Sequence, residues 1–128
     1  MKKSPNMDEW LAEAKVHESA GKIGMYLVHN GVVRQTAKAK VRGGDETAAD
    51  VSGMVFRYDE DKVMQAVKET YDMNGVYYVR TWLNSGKLSV GDDIMYVLIG
   101  GDIRPNVVAA LESLVEKLKT QCVTETEI

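Results

Sequence analysis

The stretch from Pro105 to Lys119 constrains this chain more than any other. Val107, Val108, Leu111, Leu114, Val115 and Leu118 recur at spacings of three and four, which at about 3.6 residues per turn gathers them into two adjacent rows on one helix face. A stripe that wide must be buried. The strings able to cover it lie upstream and are rich in β-formers, so the sequence calls for a helix packed on sheet.

Working outward from that helix, Ser4 and Pro5 read as an N-cap and first helical position, with Asp8 and Glu9 in the first turn. The expected helix runs from about Pro5 to Ala20 and buries Trp10, Leu11 and Ala14. A strand is expected from Ile23 to about Arg34, with Asn30 and Gly31 as a bulge or kink. The segment "QTAKAKVRGGDETAAD" has no sustained period and reads as a mobile loop or loosely paired hairpin. A strand resumes at Val51, and Asp59 caps a helix carrying Val63, Val67 and Tyr71. Two further strands, Val76 to Leu83 and Asp93 to Ile99, are separated by Gly- and Ser-rich turn chemistry. The order is αββαββα, with strands outnumbering helices. It predicts an α+β fold with a largely antiparallel sheet and flanking helices, in one domain spanning residues 1–128.

Composition narrows the function classes. A formal charge of −3 argues against a nucleic-acid binder, which needs a surplus of Lys and Arg on one face. One cysteine, Cys122, rules out an internal disulfide framework and suits a reducing cytoplasm. No apolar run behind "MKKSPNMDEW" reads as a signal peptide, and "IMYVLIGG" is far short of the roughly 20 residues that span a bilayer. Neither a phosphate-cradling glycine loop nor a metal motif occurs, and His17 and His29 are too far apart for a local one.

What remains is a set of cations at element ends. Arg34 closes the first strand, Arg104 precedes Pro105, and Lys117 and Lys119 sit near the end of the last helix. Arg104, held out of the helix by the proline, would join the helix N-terminal N–H groups in an anion site, or be a surface arginine without a ligand. Lys119 is either an ordinary cap interacting with the helix dipole or the centre of chemistry, with Lys117 competing for the same role. Lys38, Lys40 and Arg42 are solvated loop cations unless the loop folds over an anionic ligand. Cys122 has no histidine paired with it and reads as a poor nucleophile.

Five pieces of sequence in order resemble the large catalytic subunit of molybdopterin synthase, the MoaE family. "GMYLVHNGVVR" is similar to that family's first strand ending in Gly-x-Val-Arg, and "VFRYDEDKVMQAV" to its Leu-Glu-His-Tyr strand and following helix. "SGKLSVGDDIMYVLIGGDIRPNVVAALESLVEKLKT" resembles its Gly-x-Leu-x-x-Gly-Asp-x-Ile segment, its His-Arg pair and its Leu-Lys-Thr helix end. The resemblance covers about Ile23 to Thr120. It implies an α/β hammerhead fold and a homodimer of large subunits joined in a heterotetramer by a small ubiquitin-like, MoaD-like sulfur carrier. It implies sulfur transfer from that carrier's C-terminal thiocarboxylate to cyclic pyranopterin monophosphate, giving molybdopterin without a metal or organic cofactor. By the same resemblance Lys119 is the catalytic lysine, with Arg34, Arg104 and Lys117 binding substrate. The residue types suit those tasks. Arginine binds phosphate in a bidentate manner, and a lysine partly desolvated beside cations can act as a base or nucleophile.

Three features depart from the family pattern. Ile103 stands where the family has histidine, Thr126 stands where it has a second lysine, and an acidic "QCVTETEI" replaces a basic C-terminal extension that lends an arginine to the neighbouring subunit. These departures carry an alternative expectation, a catalytically impaired binding module that holds a Gly-Gly tail or an anionic pterin.

Overall fold

The computed structural model describes residues 1–37, 43, 44 and 50–128; Lys38, Lys40 and Arg42 lie outside the described residues. Two three-stranded sheets carry the architecture, and every strand pairing in them is antiparallel. In the first, β5 (Asp93–Gly101) lies between β1 (Met25–Val32) and β3 (Val76–Leu83). In the second, β2 (Gly53–Tyr58) lies between β4 (Gly86–Ser89) and β6 (Val123–Glu127). The helices are α1 (Met7–Lys15), α2 (Glu60–Tyr71) and α3 (Arg104–Lys117). The expected α+β class with antiparallel sheets and flanking helices is the observed one.

Strand β5 is covered on both faces, which is why "IMYVLIGG" reads as a continuous apolar run. Successive side chains leave a strand on opposite sides. Met95, Val97 and Ile99 therefore join the main core, while Leu98 points the other way onto Trp10 and Ala14 of α1. On the core side α3 lays Val107, Ala110 and Leu114 against the sheet, all fully buried. Its close approach needs a residue without a side chain at the end of β5. A Cβ on Gly101 would stand 2.7 Å from Val107 Cγ2 and 2.5 Å from the Gly75 carbonyl oxygen. The same cluster takes in Met54 and Phe56 from β2 and Leu88 from β4, so it joins the two sheets.

Local details differ from expectation where a short-range signal met a tertiary one. Ser4 does not cap α1: its hydroxyl donates to Asp93 Oδ2 at 2.6 Å, and Asn6 becomes the N-cap, accepting from the Glu9 N–H at 3.1 Å. That helix ends at Lys15 rather than Ala20, and a short 3₁₀ turn at Ala20–Lys22 leads into β1. The irregularity anticipated at Asn30 and Gly31 falls between Gly31 and Val32. Asp59 caps α2 as expected, accepting from the Lys62 N–H.

Two strands had no counterpart in the sequence reading. Gly86–Ser89 reads as turn, yet it pairs with β2 and buries Leu88. The acidic C-terminal segment forms β6, pairing Val123 with Tyr58 and Glu127 with Met54. Alternating Thr and Glu on an edge strand show no apolar face, so backbone pairing is its main support. No helix among the described residues is long and apolar enough to cross a membrane.

Leu114→Ala should lower stability by about 3 kcal/mol, because a large buried side chain is removed from a rigid setting. Asp59→Ala should cost only about 1 kcal/mol, the usual worth of an N-cap. Urea denaturation of the two variants checks the ranking, and equal losses would contradict the central place given to α3.

Candidate functional site

After Lys117 the helix does not stop. It widens into a π turn, Leu118–Cys122, before the chain enters β6. Leu118 and Cys122 are buried on the core side, and the Thr120 hydroxyl donates to the Glu116 carbonyl at 2.8 Å. A turn with i to i+5 bonding rotates the succeeding residues relative to a regular helix and occurs often at functional positions. Here it sets the half-buried Lys119 over a cleft of about 210 Å³.

That cleft is assembled from four distant segments. Strand β1 supplies His29 and Gly31, which share a face because they are two residues apart. Arg34 lies just beyond the strand, its arm fixed by a 3.0 Å bond from Nε to the Thr36 carbonyl. Met54 from β2 and Ile94 and Met95 from β5 form an apolar floor, and Glu125 and Glu127 of β6 close one side. A second, shallower depression, lined by Leu111, Glu112, Val115 and Glu116 of α3, shares His29 and Lys119 with the first.

Of the four cations singled out in the sequence, Arg34 and Lys119 meet in this cleft. Arg104 does not line it. It opens α3, exposed to solvent, 15 residues before Lys119, or about 22 Å along the helix axis. The anion site envisaged around it is also altered. Arg104 is itself helical, and the Asp102 carboxylate accepts the Ile103 N–H at 2.6 Å and the Asn106 side-chain N–H at 2.9 Å. Those bonds, Asn106 first, hold Asp102 below the usual carboxylate range. The protein's own anion therefore occupies the helix start. Lys117, two residues and about 200° around the helix from Lys119, faces α2 and pairs with Glu69 Oε2 at 3.6 Å.

Three lining groups escaped the sequence reading. His29 was weighed only as a metal ligand, although strand alternation alone puts it on one face with Gly31. Glu125 and Glu127 escaped because the tail did not read as a strand. Cys122 is buried beside Arg57, Asp59 and Lys62, away from the cleft, and burial pushes its thiol up, which keeps it protonated and unreactive. Among the described residues no three His, Cys, Asp or Glu side chains are grouped to hold a metal ion.

Chemically the cleft offers two cations for an anion, an imidazole for proton transfer, and carboxylates that limit how much negative charge is tolerated. His29 is the perturbed group. Partial burial first, and then the Lys119 charge, lower its imidazole from the ordinary value of 6.5. Its Nε2 is sealed from solvent without a hydrogen-bond partner.

The family model for MoaE protein matches residues 3–121 of the chain. No curated protein matches it. Among solved structures, molybdopterin synthase from Staphylococcus aureus superposes with a TM-score of 0.72 at 18% identity, covering 98% of this chain and 86% of that one. A molybdopterin biosynthesis MoaE protein from Burkholderia ambifaria gives 0.73 at 18%, covering 99% and 84%. A complex of subunits 1 and 2 of molybdopterin-converting factor from Helicobacter pylori gives 0.66 at 17%, covering 97% and 79%. At such identities the structural likeness speaks for the fold.

The lowered His29 titration has a consequence for stability. Above pH 6.5 the imidazole is neutral whether the chain is folded or not, so the folded state is not penalised. As pH falls below 6.5 the unfolded chain binds the proton first, and stability declines until the folded imidazole also titrates. Urea midpoints at pH 7.5 and 5.5 should therefore fall further in the wild type than in His29→Gln; an equal fall in both would remove His29 as the cause.

Proposed function

Because the chain belongs to the MoaE protein family, we propose that it is the large subunit of a molybdopterin synthase. It moves sulfur from the C-terminal thiocarboxylate of a small ubiquitin-like subunit to cyclic pyranopterin monophosphate. The family places the chain in molybdenum cofactor biosynthesis; the reaction and its residues are our reading. The observation that carries it is the meeting of Arg34 and Lys119, 85 positions apart in the sequence, over one cleft.

In this reading Arg34 holds the phosphate at the cleft mouth, where its planar fork suits two oxygens of one anion. Lys119 stands at the meeting of the cleft and the α3 depression. It contacts the reacting carbonyl or sulfur of a tail arriving from one side and the pterin arriving from the other. The apolar floor of Met54, Ile94 and Met95 excludes water from the reacting atoms and strengthens every charge interaction inside. Lys117, engaged with Glu69, ties α3 to α2 and is left out of the reaction. Arg104 is too far along its helix to serve the same cleft, so any part it plays requires a second copy of the chain. The proposal therefore includes a homodimer of large subunits; for the small-subunit partner alone, the Helicobacter pylori complex of subunits 1 and 2 is a structural precedent.

A second reading is favoured by one observation. Glu125 and Glu127 line the cleft where anions must enter, and like charge weakens anion binding. On that reading the chain binds a Gly-Gly tail or an anionic pterin without transferring sulfur.

Reconstitution separates the two. Purified chain, thiocarboxylated small subunit and cyclic pyranopterin monophosphate should give molybdopterin, measured as its fluorescent oxidation product. Lys119→Ala should lower the rate by about a hundredfold or more, the scale of a lost acid–base or nucleophilic group. Arg34→Ala should mainly raise KM for the pterin. Robust binding with no product from the wild type would select the second reading.

A further inference from the structure

His29 has no assigned task in the reaction outlined above, yet the geometry around it is unusual. It lines both the cleft and the α3 depression, and among the described residues the only other one shared by the two is Lys119. It therefore sits at their junction. Its Nε2 leans along β1 over Gly31, 3.8 Å from where a Cβ would stand, and Gly31 is itself cleft lining. Buried polar nitrogens are almost always hydrogen-bonded, because an unpaired one forfeits its hydration without replacement. His29 Nε2 is the buried side-chain atom among the described residues that is left in this state.

The charges facing His29 come from every element packed around it. Lys119 of the π turn stands at the junction, Arg34 lies beyond the end of β1, Glu125 and Glu127 project from β6, and Glu112 and Glu116 project from α3. Burial first, and then the Lys119 charge, lower the ring's titration and keep it neutral at pH 7. An anion entering between Lys119 and Arg34 reverses that balance. It offsets the cationic charge that opposed protonation and so stabilises an imidazolium at the junction.

We propose that His29 is a further anion-binding residue of this cleft, neutral before a dianion enters and protonated once it is bound, so that anion capture takes up one proton. The proton comes from solvent, adds to the imidazole lone pair, and leaves an imidazolium as the third cation holding the anion. When the anion departs the proton returns to solvent. This deepens the reading of the cleft as the site of a phosphate-bearing substrate. It also gives the chain a proton carrier beside Lys119.

Sulfate is the probe, because it stays a dianion throughout the range tested and contributes no titration of its own. Imidazole resonances of the wild type are tracked by NMR from pH 5 to 8 with and without sulfate, and sulfate affinity is measured by calorimetry at pH 5.5 and 7.5. Saturating sulfate should move the His29 titration upward and leave His17, packed on Tyr78, unmoved. Sulfate should bind about tenfold tighter at pH 5.5 than at 7.5, a coupling within the ordinary range for linked sites. In His29→Gln that dependence should shrink to within about twofold.

A His29 resonance that sulfate does not shift would overturn the assignment without reference to any variant, as would a pH dependence that survives His29→Gln intact. The outcome is separable from the sulfur-transfer reading. Proton uptake with sulfate in a chain that makes no molybdopterin keeps His29 and removes the reaction. Turnover with an unresponsive His29 does the reverse.

Discussion

Everything in this molecule is hung on the contact between α3 and the central strand β5. Val107, Ala110, Leu114 and then Leu118 of the π turn lie on one line of the helix, all at zero exposure. The sheet beneath accepts them closely because β5 ends in Gly100 and Gly101. Close packing of this kind leaves the helix one position and one rotation. Lys119, the residue after the last of them, inherits that rigidity. The second sheet is added through the same core, by Met54, Phe56 and Leu88, and its edge strand β6 brings the carboxylates that line the cleft with the lysine.

The cleft that results is a balance of opposite tendencies. Arg34 and Lys119 attract an anion, while Glu125 and Glu127 oppose one and make the resting site less positive. A half-buried imidazole between them shifts its protonation with small changes in local charge.

The legible parts of the sequence were those with a strong local period or a strong local chemical signal. The α3 stripe, the Asp59 cap and the β3 limits derive from residue spacing and type. The misjudged parts were those where distant partners compete with local ones. Ser4 has the composition of a cap, but Asp93, 89 positions away, takes its hydroxyl. "GKLS" and "VTETE" carry too little apolar surface to announce a strand, and each becomes one because β2 offers its backbone to both sides. His29 looked incidental because its neighbours in the chain are mostly apolar and Lys119 is 90 positions away.

The sequence by itself determined the class of fold, the main helix and strands, and the family to which the chain belongs. Those rest on patterns within a window of some tens of residues, where spacing converts directly into a buried face. It also named Arg34 and Lys119 as cations of interest. Tertiary structure alone decided which cations share a cleft, because that depends on the rotation of α3 through its π turn and on the sheet order β1-β5-β3. Both are set by packing between segments remote in the chain. The same packing left Arg104 at the far end of its helix, turned Lys117 toward Glu69, and placed His29 beside Lys119.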